Sequence, residues 1–403
     1  MQIDDNEYIN SLTTLRRDCH VSYRVLILTS DAGFGHRRAA QAIDAALTRR
    51  FGEDVETRIE NPLDAPELPD ILRMIETTYD GIVTDDAMLY QLAYNATDAP
   101  VVAGLMQRVA TTVLDSTLTR YVEDFRPNVL VTTYPAYTYS MIRTARKMDR
   151  RIPVDVIVTD LIGVHSLWFH EKTDLTFVPT GGVLRQALDA GLAKSQLHLS
   201  GMPVHPRIAE LQDRDPAELR RKLGWDTDMM TALIVGSSRT GQTMNITRLL
   251  DRSGLQLQLV AVGGGDPKLT RQLEQAEWRG VVHTYGLVEN MAEMMRAADL
   301  IICKAGGLIV SEALASGLPL ILFEALPGQE VGNVRYVAES GAGEWSPGAI
   351  GALTTVYAWL ARDRTIFEQR RAAARRVGKP RAAYDVAEQI MHQAERAASA
   401  AAS

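Results

Sequence analysis

A chain of 403 residues with 46% hydrophobic content is long enough for two ordinary cores, so two domains are expected. Its net charge of −7 excludes a whole-chain attraction to nucleic acid or to anionic membranes. Cys19 and Cys303 are its only cysteines, which rules out a disulfide framework, leaves no zinc-ligand spacing and fits a reducing cytoplasm.

The start, with Gln2, Asp4, Asp5 and Glu7, lacks the basic and apolar layout of a signal peptide. The most apolar long stretch, Leu300 to Leu326, is interrupted by Lys304, Glu312 and several glycines, so it reads as alternating buried elements and not as a membrane span. A first series of strand-like runs follows the chain through RVLILTS (Arg24 to Ser30), NVLVTTY (Asn128 to Tyr134) and VDVIVTD (Val154 to Asp160), with amphipathic stretches between them. That alternation predicts a parallel sheet. After the first run comes a glycine loop with Gly33 and Gly35 that ends on His36. A neutral imidazole there can take a proton near pH 7, which makes His36 the first candidate base; the alternative is that it only caps the helix start. Arg37 and Arg38 beside it either steer an anionic ligand or are plain surface.

The region Ile71 to Val122 departs from the alternation and carries Met74, Tyr79, Met88, Tyr90, Tyr94, Leu105 and Met106, which suit either helix packing or contact with acyl chains. Tyr134-Pro135 closes the second run. Asp160 closes the third and is the second candidate, as the base or as the group that orients a histidine. His165, Trp168 and His170 follow as a cluster. Cysteine or carboxylate partners at compact spacing are missing, which argues against a metal there. Trp168 reads as a face for a sugar or glycerol, or as core.

The series restarts after Pro203 and Pro206 with TALIVGS (Thr231 to Ser237), LQLVAVGGG (Leu257 to Gly265), VVHTYG (Val281 to Gly286), DLIIC (Asp299 to Cys303) and LPLILF (Leu318 to Phe323). The expected units are 1–205, 206–361, and a final helix within 362–403 that packs back toward the first unit and ends in a frayed tail. Lys304-Ala305-Gly306-Gly307 turns the chain with no bulky side chain in the way, and a helix starting near Leu308 directs its free N–H groups at a diphosphate. Glu312, one turn in, is placed for ribose hydroxyls. The loop holding Gln329, Glu330 and Asn333 brings two amides and a carboxylate to the C-terminal end of a strand, where ligands of open α/β sheets bind. Close packing alone also explains such glycine loops. Arg370 to Arg381 carries six basic residues and no acid, a solvated helix face or a contact for anionic lipid.

Several stretches together resemble the monogalactosyldiacylglycerol synthase family, with related bacterial diacylglycerol glucosyltransferases and more distant peptidoglycan glucosaminyltransferases. They are Ser30 to His36 with Ala39-Ala40; Thr159-Asp160 with His165, Trp168, Phe169 and His170; Gly201-Met202-Pro203-Val204; Tyr285 to Met295; and Cys303 to Asn333. The resemblance runs from Tyr23 to Ala338. It implies an α/β protein of the GT-B arrangement, two Rossmann-like domains with parallel sheets facing a central cleft. The first would hold the acceptor through Gly33, Gly35, Tyr134, Pro135, His165, Trp168 and His170, and face the membrane through the region Ile71 to Val122. The second would hold a UDP-sugar through Gly236, Ser237, Ser238, Arg239, Gly263, Gly286, Leu287, Lys304 to Leu308, Glu312, Gln329, Glu330 and Asn333. The chain departs from the family at Tyr134-Pro135, at His205, and at Gly236 to Gly241 and Gly263 to Asp266.

The expected activity is inverting transfer of galactose from UDP-galactose to 1,2-diacylglycerol at the cytoplasmic face of the cell membrane. No metal or other cofactor is expected, since the chain offers no convincing Asp-x-Asp site for a sugar-nucleotide metal and a helix N-terminus can stabilise the leaving diphosphate. Alternatives are a UDP-glucose-dependent diacylglycerol glucosyltransferase, an N-acetylglucosaminyl transferase, a UDP-sugar epimerase, and a non-catalytic UDP-sugar sensor.

Overall fold

The computed structural model describes residues 23–31, 34–66, 114–236, 241–326, 330–360 and 363–402. Among them the chain builds two sheets of six parallel strands each. The first sheet contains β1 (Tyr23–Leu28), β2 (Val55–Glu60), β3 (Val129–Thr132), β4 (Val154–Ile157), β5 (Leu175–Val178) and β6 (Leu197–Leu199), in the order β2-β1-β3-β4-β5-β6. The second contains β7 (Met230–Val235), β8 (Leu257–Val262), β9 (Val282–Tyr285), β10 (Leu300–Lys304), β11 (Leu320–Glu324) and β12 (Gly343–Trp345), in the order β12-β11-β10-β7-β8-β9. The central strands β3, β4 and β8 bury every residue, as parallel strands covered on both faces must.

The covering helices explain the rest of the apolar pattern. In the first unit, α1 (Phe34–Phe51) and the C-terminal α14 (Ala382–Ala402) cover one face, where Ile43, Leu47, Val386 and Ile390 meet Val25, Ile27 and Val131. A helix over 114–125 (α2) and α3 (Thr138–Lys147) cover the other through Leu118, Val122, Met141 and Ile142. Between β5 and β6 lies α4 (Gly181–Asp189), started by the Thr180 hydroxyl accepting from Val183 N. The link to the second sheet carries α5 (Arg207–Glu210) and α6 (Pro216–Leu223), the latter capped by Asp215 and stopped by Gly224.

In the second unit one face is covered by α9 (Met291–Ala297), α10 (Gly307–Ala315), α11 (Val331–Ser340) and α13 (Thr365–Val377). The other is covered by α7 (Gln242–Asp251) and α12 (Gly348–Leu360), with α8 (Pro267–Glu274) toward the β9 edge. Each fully buried Leu or Ile in these layers contributes about 2 kcal/mol, so the four helix-covered faces are the main source of stability.

The single final helix expected over 362–398 forms instead as two, α13 and α14, interrupted around Gly378 and Pro380. A Cβ at Gly378 would lie 2.0 Å from the Leu314 carbonyl oxygen, so this tight crossing needs a glycine. Thus α13 stays on the second sheet, through Phe367, Ala373 and Ala374, and only α14 returns to the first. The basic stretch is tied into this packing. Arg370 bonds Glu344 at 2.6 Å and the Gly341 carbonyl, Arg376 donates to the Ser340 carbonyl, and Arg375 lies against Gly317. Three of its arginines therefore hold the chain together. The acyl-chain candidates between residues 71 and 113 lie outside the described residues.

Candidate functional site across the cleft

The first half of the site is the end of β1 and the start of α1. Thr133 Oγ1 lies 2.8 Å from Thr29 Oγ1 and 3.1 Å from the His36 carbonyl oxygen; the carbonyl can only accept, so the Thr133 proton goes there. This pins the backbone of His36 in the first turn of α1. Its ring is fixed from three sides. Nδ1 is 2.8 Å from Thr159 Oγ1, the Tyr134 ring stands edge-on at 5.1 Å, and the Trp168 ring is tilted at 6.0 Å. Tyr134 is braced by Tyr137, also at 5.1 Å, and the short turn Pro135–Tyr137 sets both.

Trp168 has no exposed surface, and its Nε1 donates to Asp160 Oδ2 at 3.1 Å. It is therefore core: it cannot offer an open face to a sugar or glycerol, and its contribution is to hold the Asp160 carboxylate. His165 Nδ1 accepts from Leu167 N, capping the short turn that seats Trp168. His170 Nδ1 accepts from Lys172 N, and burial, reinforced by the Lys172 charge, lowers its pKa. Both histidines act as turn caps in this arrangement. Among the described residues no group of three His, Cys, Asp or Glu side chains is assembled as a metal centre. Arg37 is held by Asp31 through two bonds of 2.6 and 2.7 Å, and this bonding lowers the Asp31 pKa. Asn61 donates to the same carboxylate and accepts from Tyr137 OH, a contact that no local sequence pattern announces.

The second half begins where β10 gives way to α10. Gly306 is extended at the N-cap position and Gly307 starts the helix. Lys304 Nζ is 3.0 Å from Glu330 Oε1, while Glu330 Oε2 accepts from Leu326 N. Asn333 Nδ2 donates to the Ala305 carbonyl at 2.8 Å. Glu330 and Asn333 are both buried, so each is engaged in binding one loop of the clamp to the other. Glu312 sits one turn into α10, and desolvation raises its pKa from 4.5 to about 7, with Arg38 of α1 opposing the shift.

Three donor-side glycines have a packing cause. The N–H groups of Gly236 and Gly263 donate to Val262 and Tyr285 carbonyls. Cβ atoms at Gly236, Gly263 and Gly286 would approach Leu269 or Thr270 of α8 to 2.9, 2.7 and 3.2 Å, so these positions let the first turn of α8 settle on the sheet. Leu287 beside them is 76% exposed. Gly33, Ser237, Ser238, Arg239 and Gln329 lie outside the described residues.

The halves meet along a close seam. An added Cβ on Gly307 would be 3.4 Å from the Thr159 carbonyl oxygen, and one on Gly332 would be 2.8 Å from the Ile162 carbonyl oxygen. Helices α1 and α10 also touch. Thr159 thus presents its hydroxyl to His36 and its carbonyl to the start of α10.

Over residues 36–204 the chain matches the family described as monogalactosyldiacylglycerol (MGDG) synthase, and over 232–346 the glycosyltransferase family 28 C-terminal domain. It is 31% identical to a probable monogalactosyldiacylglycerol synthase, chloroplastic, of Glycine max, across 90% of this chain and 70% of that one. It is 29% identical to monogalactosyldiacylglycerol synthase 1, chloroplastic, of Arabidopsis thaliana, across 90% and 69%. Among solved structures it is similar to the UDP-GlcNAc 2-epimerase of Neisseria meningitidis bound to UDP-GlcNAc, with a TM-score of 0.60 at 14% identity over 92% of this chain and 100% of that one. It is also similar to MurG of Acinetobacter baumannii, with a TM-score of 0.57 at 16% identity over 92% and 99%. At those identities the structural likeness concerns the fold, which is GT-B.

Proposed function

Because this chain belongs to the monogalactosyldiacylglycerol synthase family, we propose that it transfers galactose from UDP-galactose to 1,2-diacylglycerol with inversion, making monogalactosyldiacylglycerol. The observation that supports this reading is the seam itself: His36 on α1 and the start of α10 are brought to one place, bridged by Thr159.

In this reading the diphosphate lies at the N-terminus of α10, where Gly306 and Gly307 leave the backbone open and the helix dipole opposes the negative charge. Glu312 accepts from the ribose hydroxyls, and backbone groups near Gly286 and Leu287 hold the uracil. Gln329, Glu330 and Asn333 border the sugar in this reading, and the Lys304–Glu330 and Asn333–Ala305 bonds join α11 to the end of β10. His36 Nε2 takes the proton of the diacylglycerol hydroxyl. The acceptor oxygen bonds to C1 of the sugar from the face opposite the diphosphate, the C1–O bond to phosphate breaks, and UDP departs with the electron pair. The helix terminus stabilises the leaving charge, so no metal ion or cofactor takes part in the proposed reaction. No helix among the described residues is long and apolar enough to cross a membrane, and the proposed enzyme meets its lipid by binding the inner membrane surface peripherally.

The test incubates the protein with diacylglycerol vesicles and, separately, UDP-galactose, UDP-glucose or UDP-N-acetylglucosamine, with products identified by mass spectrometry. A galactolipid formed only from UDP-galactose is the expected result. A glucolipid changes the donor and keeps the mechanism. Absence of glycolipid from every donor, with UDP-sugar binding intact, removes the diacylglycerol reading in favour of another acceptor, an epimerase or a sensor. His36→Ala is expected to lower kcat at least about 100-fold and leave UDP affinity within about twofold.

A further inference from the structure

Resting on the reading of His36 as the base, we infer that Thr159 is its positioning residue: the Thr159 hydroxyl keeps the neutral ring protonated at Nδ1, and the Thr159 carbonyl registers that ring against the donor helix. The first part follows from hydrogen-bond chemistry. A neutral imidazole has one N–H and one lone pair, and a hydroxyl at Nδ1 can accept from the N–H or donate to the lone pair; a ring that serves as base through Nε2 requires the first arrangement. Here that hydroxyl is Thr159 Oγ1, at 2.8 Å. If the ring donates to this oxygen, Nε2 is left with the lone pair that a general base needs. The reverse arrangement puts the proton on Nε2 and disables it.

The Asp160 carboxylate, next in the chain, has another task, since its Oδ2 accepts from Trp168 Nε1. Trp168 is anchored by the turn that His165 caps, so the stretch Thr159 to Trp168 is rigid for local reasons. The element presenting the hydroxyl therefore does not follow the imidazole; the imidazole follows it. A hydroxyl is also a neutral partner. It orients the ring without adding the charge by which a carboxylate would favour the protonated imidazolium, so the ring can release its proton again after transfer.

The second part follows from the seam. A Cβ added at Gly307, the first residue of α10, would stand 3.4 Å from the Thr159 carbonyl oxygen, so the two segments run close together. A donor seated at that helix start and a ring held by the same threonine are separated by one residue of backbone. Side-chain hydroxyl and main-chain carbonyl of one residue thus face the two reacting halves.

The experiment compares the unaltered enzyme with Thr159→Val and Thr159→Ser. Nitrogen-15 NMR of the His36 ring reads the tautomer without turnover, and kcat–pH profiles with UDP-galactose and diacylglycerol vesicles read its consequence. The unaltered neutral ring is expected to carry its proton on Nδ1. Thr159→Val should shift it toward Nε2 and lower kcat about tenfold across the plateau, with the KM for UDP-galactose little changed. Thr159→Ser should restore both. The inference is overturned if the unaltered ring is protonated at Nε2, or if Thr159→Val keeps the tautomer and kcat of the parent. Should the vesicle assay show no transfer at all, the diacylglycerol reading fails, while the NMR comparison still decides the role of Thr159.

Discussion

Gly332→Ala perturbs the seam at one atom. Gly332 is the second residue of α11, and its new Cβ would stand 2.8 Å from the Ile162 carbonyl oxygen and 3.4 Å from the Ile162 carbonyl carbon. Both contacts involve main chain, which has no rotamer by which to escape. The loop that carries Thr159 must therefore retreat by roughly half an ångström to regain van der Waals distance. Since a misplacement of about 1 Å can cost on the order of 100-fold in rate, a loss near tenfold in kcat is expected. The fold of the second unit should survive, because an unopposed helical Gly→Ala change stabilises by up to about 1 kcal/mol. Gly182→Ala serves as the control: its Cβ meets only Thr180 Oγ1, at an ordinary 3.6 Å. The assay is kcat with diacylglycerol vesicles, UDP affinity by calorimetry, and the thermal midpoint. Gly332→Ala should lose turnover while keeping UDP affinity and midpoint. Parent-level kcat would refute the reasoning, and so would a parallel fall in all three quantities, which marks local unfolding.

Glu312→Gln tests the desolvated, half-buried carboxyl. The folded group holds its proton to about pH 7 and the unfolded one only to 4.5, so the folded state binds more protons in that window and stability contributed by this group falls as pH rises through it. The substitution should be neutral near pH 4 and stabilising above pH 7, by up to about 3 kcal/mol in denaturant titrations; the same gain at both pH values would contradict the shift. It should also weaken UDP binding at neutral pH. Gly378→Ala places a Cβ 2.0 Å from the Leu314 carbonyl, and should cost more than about 3 kcal/mol or separate α14 from the first sheet, read by thermal melting and proteolysis. Arg220→Ala removes a largely buried guanidinium that bonds Asp299 at 2.7 Å and donates to the carbonyls of Ala297, Thr227 and Met229, at an expected cost of about 3 to 5 kcal/mol in chemical denaturation.

Most of the strands that the sequence announces are buried on both faces; β9, announced by VVHTYG, is an edge strand with no buried residue. DLIIC and LPLILF each form a strand within two residues of the expected place, and LQLVAVGGG, expected over Leu257 to Gly265, forms one over Leu257–Val262. The strands it hides are short or solvated. VETRIE at β2 and GEW at β12 lie at sheet edges, where one flank needs no apolar partner, and LHL at β6 is an edge of three residues. β5, LTFV, is internal but only four residues long, too brief to show a period. The same logic governs the site. His36, Gly306, Gly307 and Glu312 are legible because their spacing along the chain already describes a loop feeding a helix. The bond from His36 to Thr159 spans 123 positions, and Tyr137 reaches Asn61 across 76, so nothing local announces either pairing. Burial decides Trp168, since an aromatic eight residues past a carboxylate serves equally as a platform or as a donor to it until its exposure is known.

The chain passes between the two units twice, and the two passages lie side by side. Gly201, at φ +86°, would bring a Cβ to within 2.6 Å of Lys379 Cβ, so the outgoing segment and the returning one form a single two-stranded strap. Around it, Glu210 of α5 receives Arg49 of α1 at 3.2 Å and Tyr384 of α14 at 3.2 Å. Leu161 and Met202 of the first unit are buried in the core of the second, and Ser311 of α10 donates to Met202 Sδ. The strap is therefore one side of a continuous junction, and the register of Thr159 against α10 is set by packing on both sides of it.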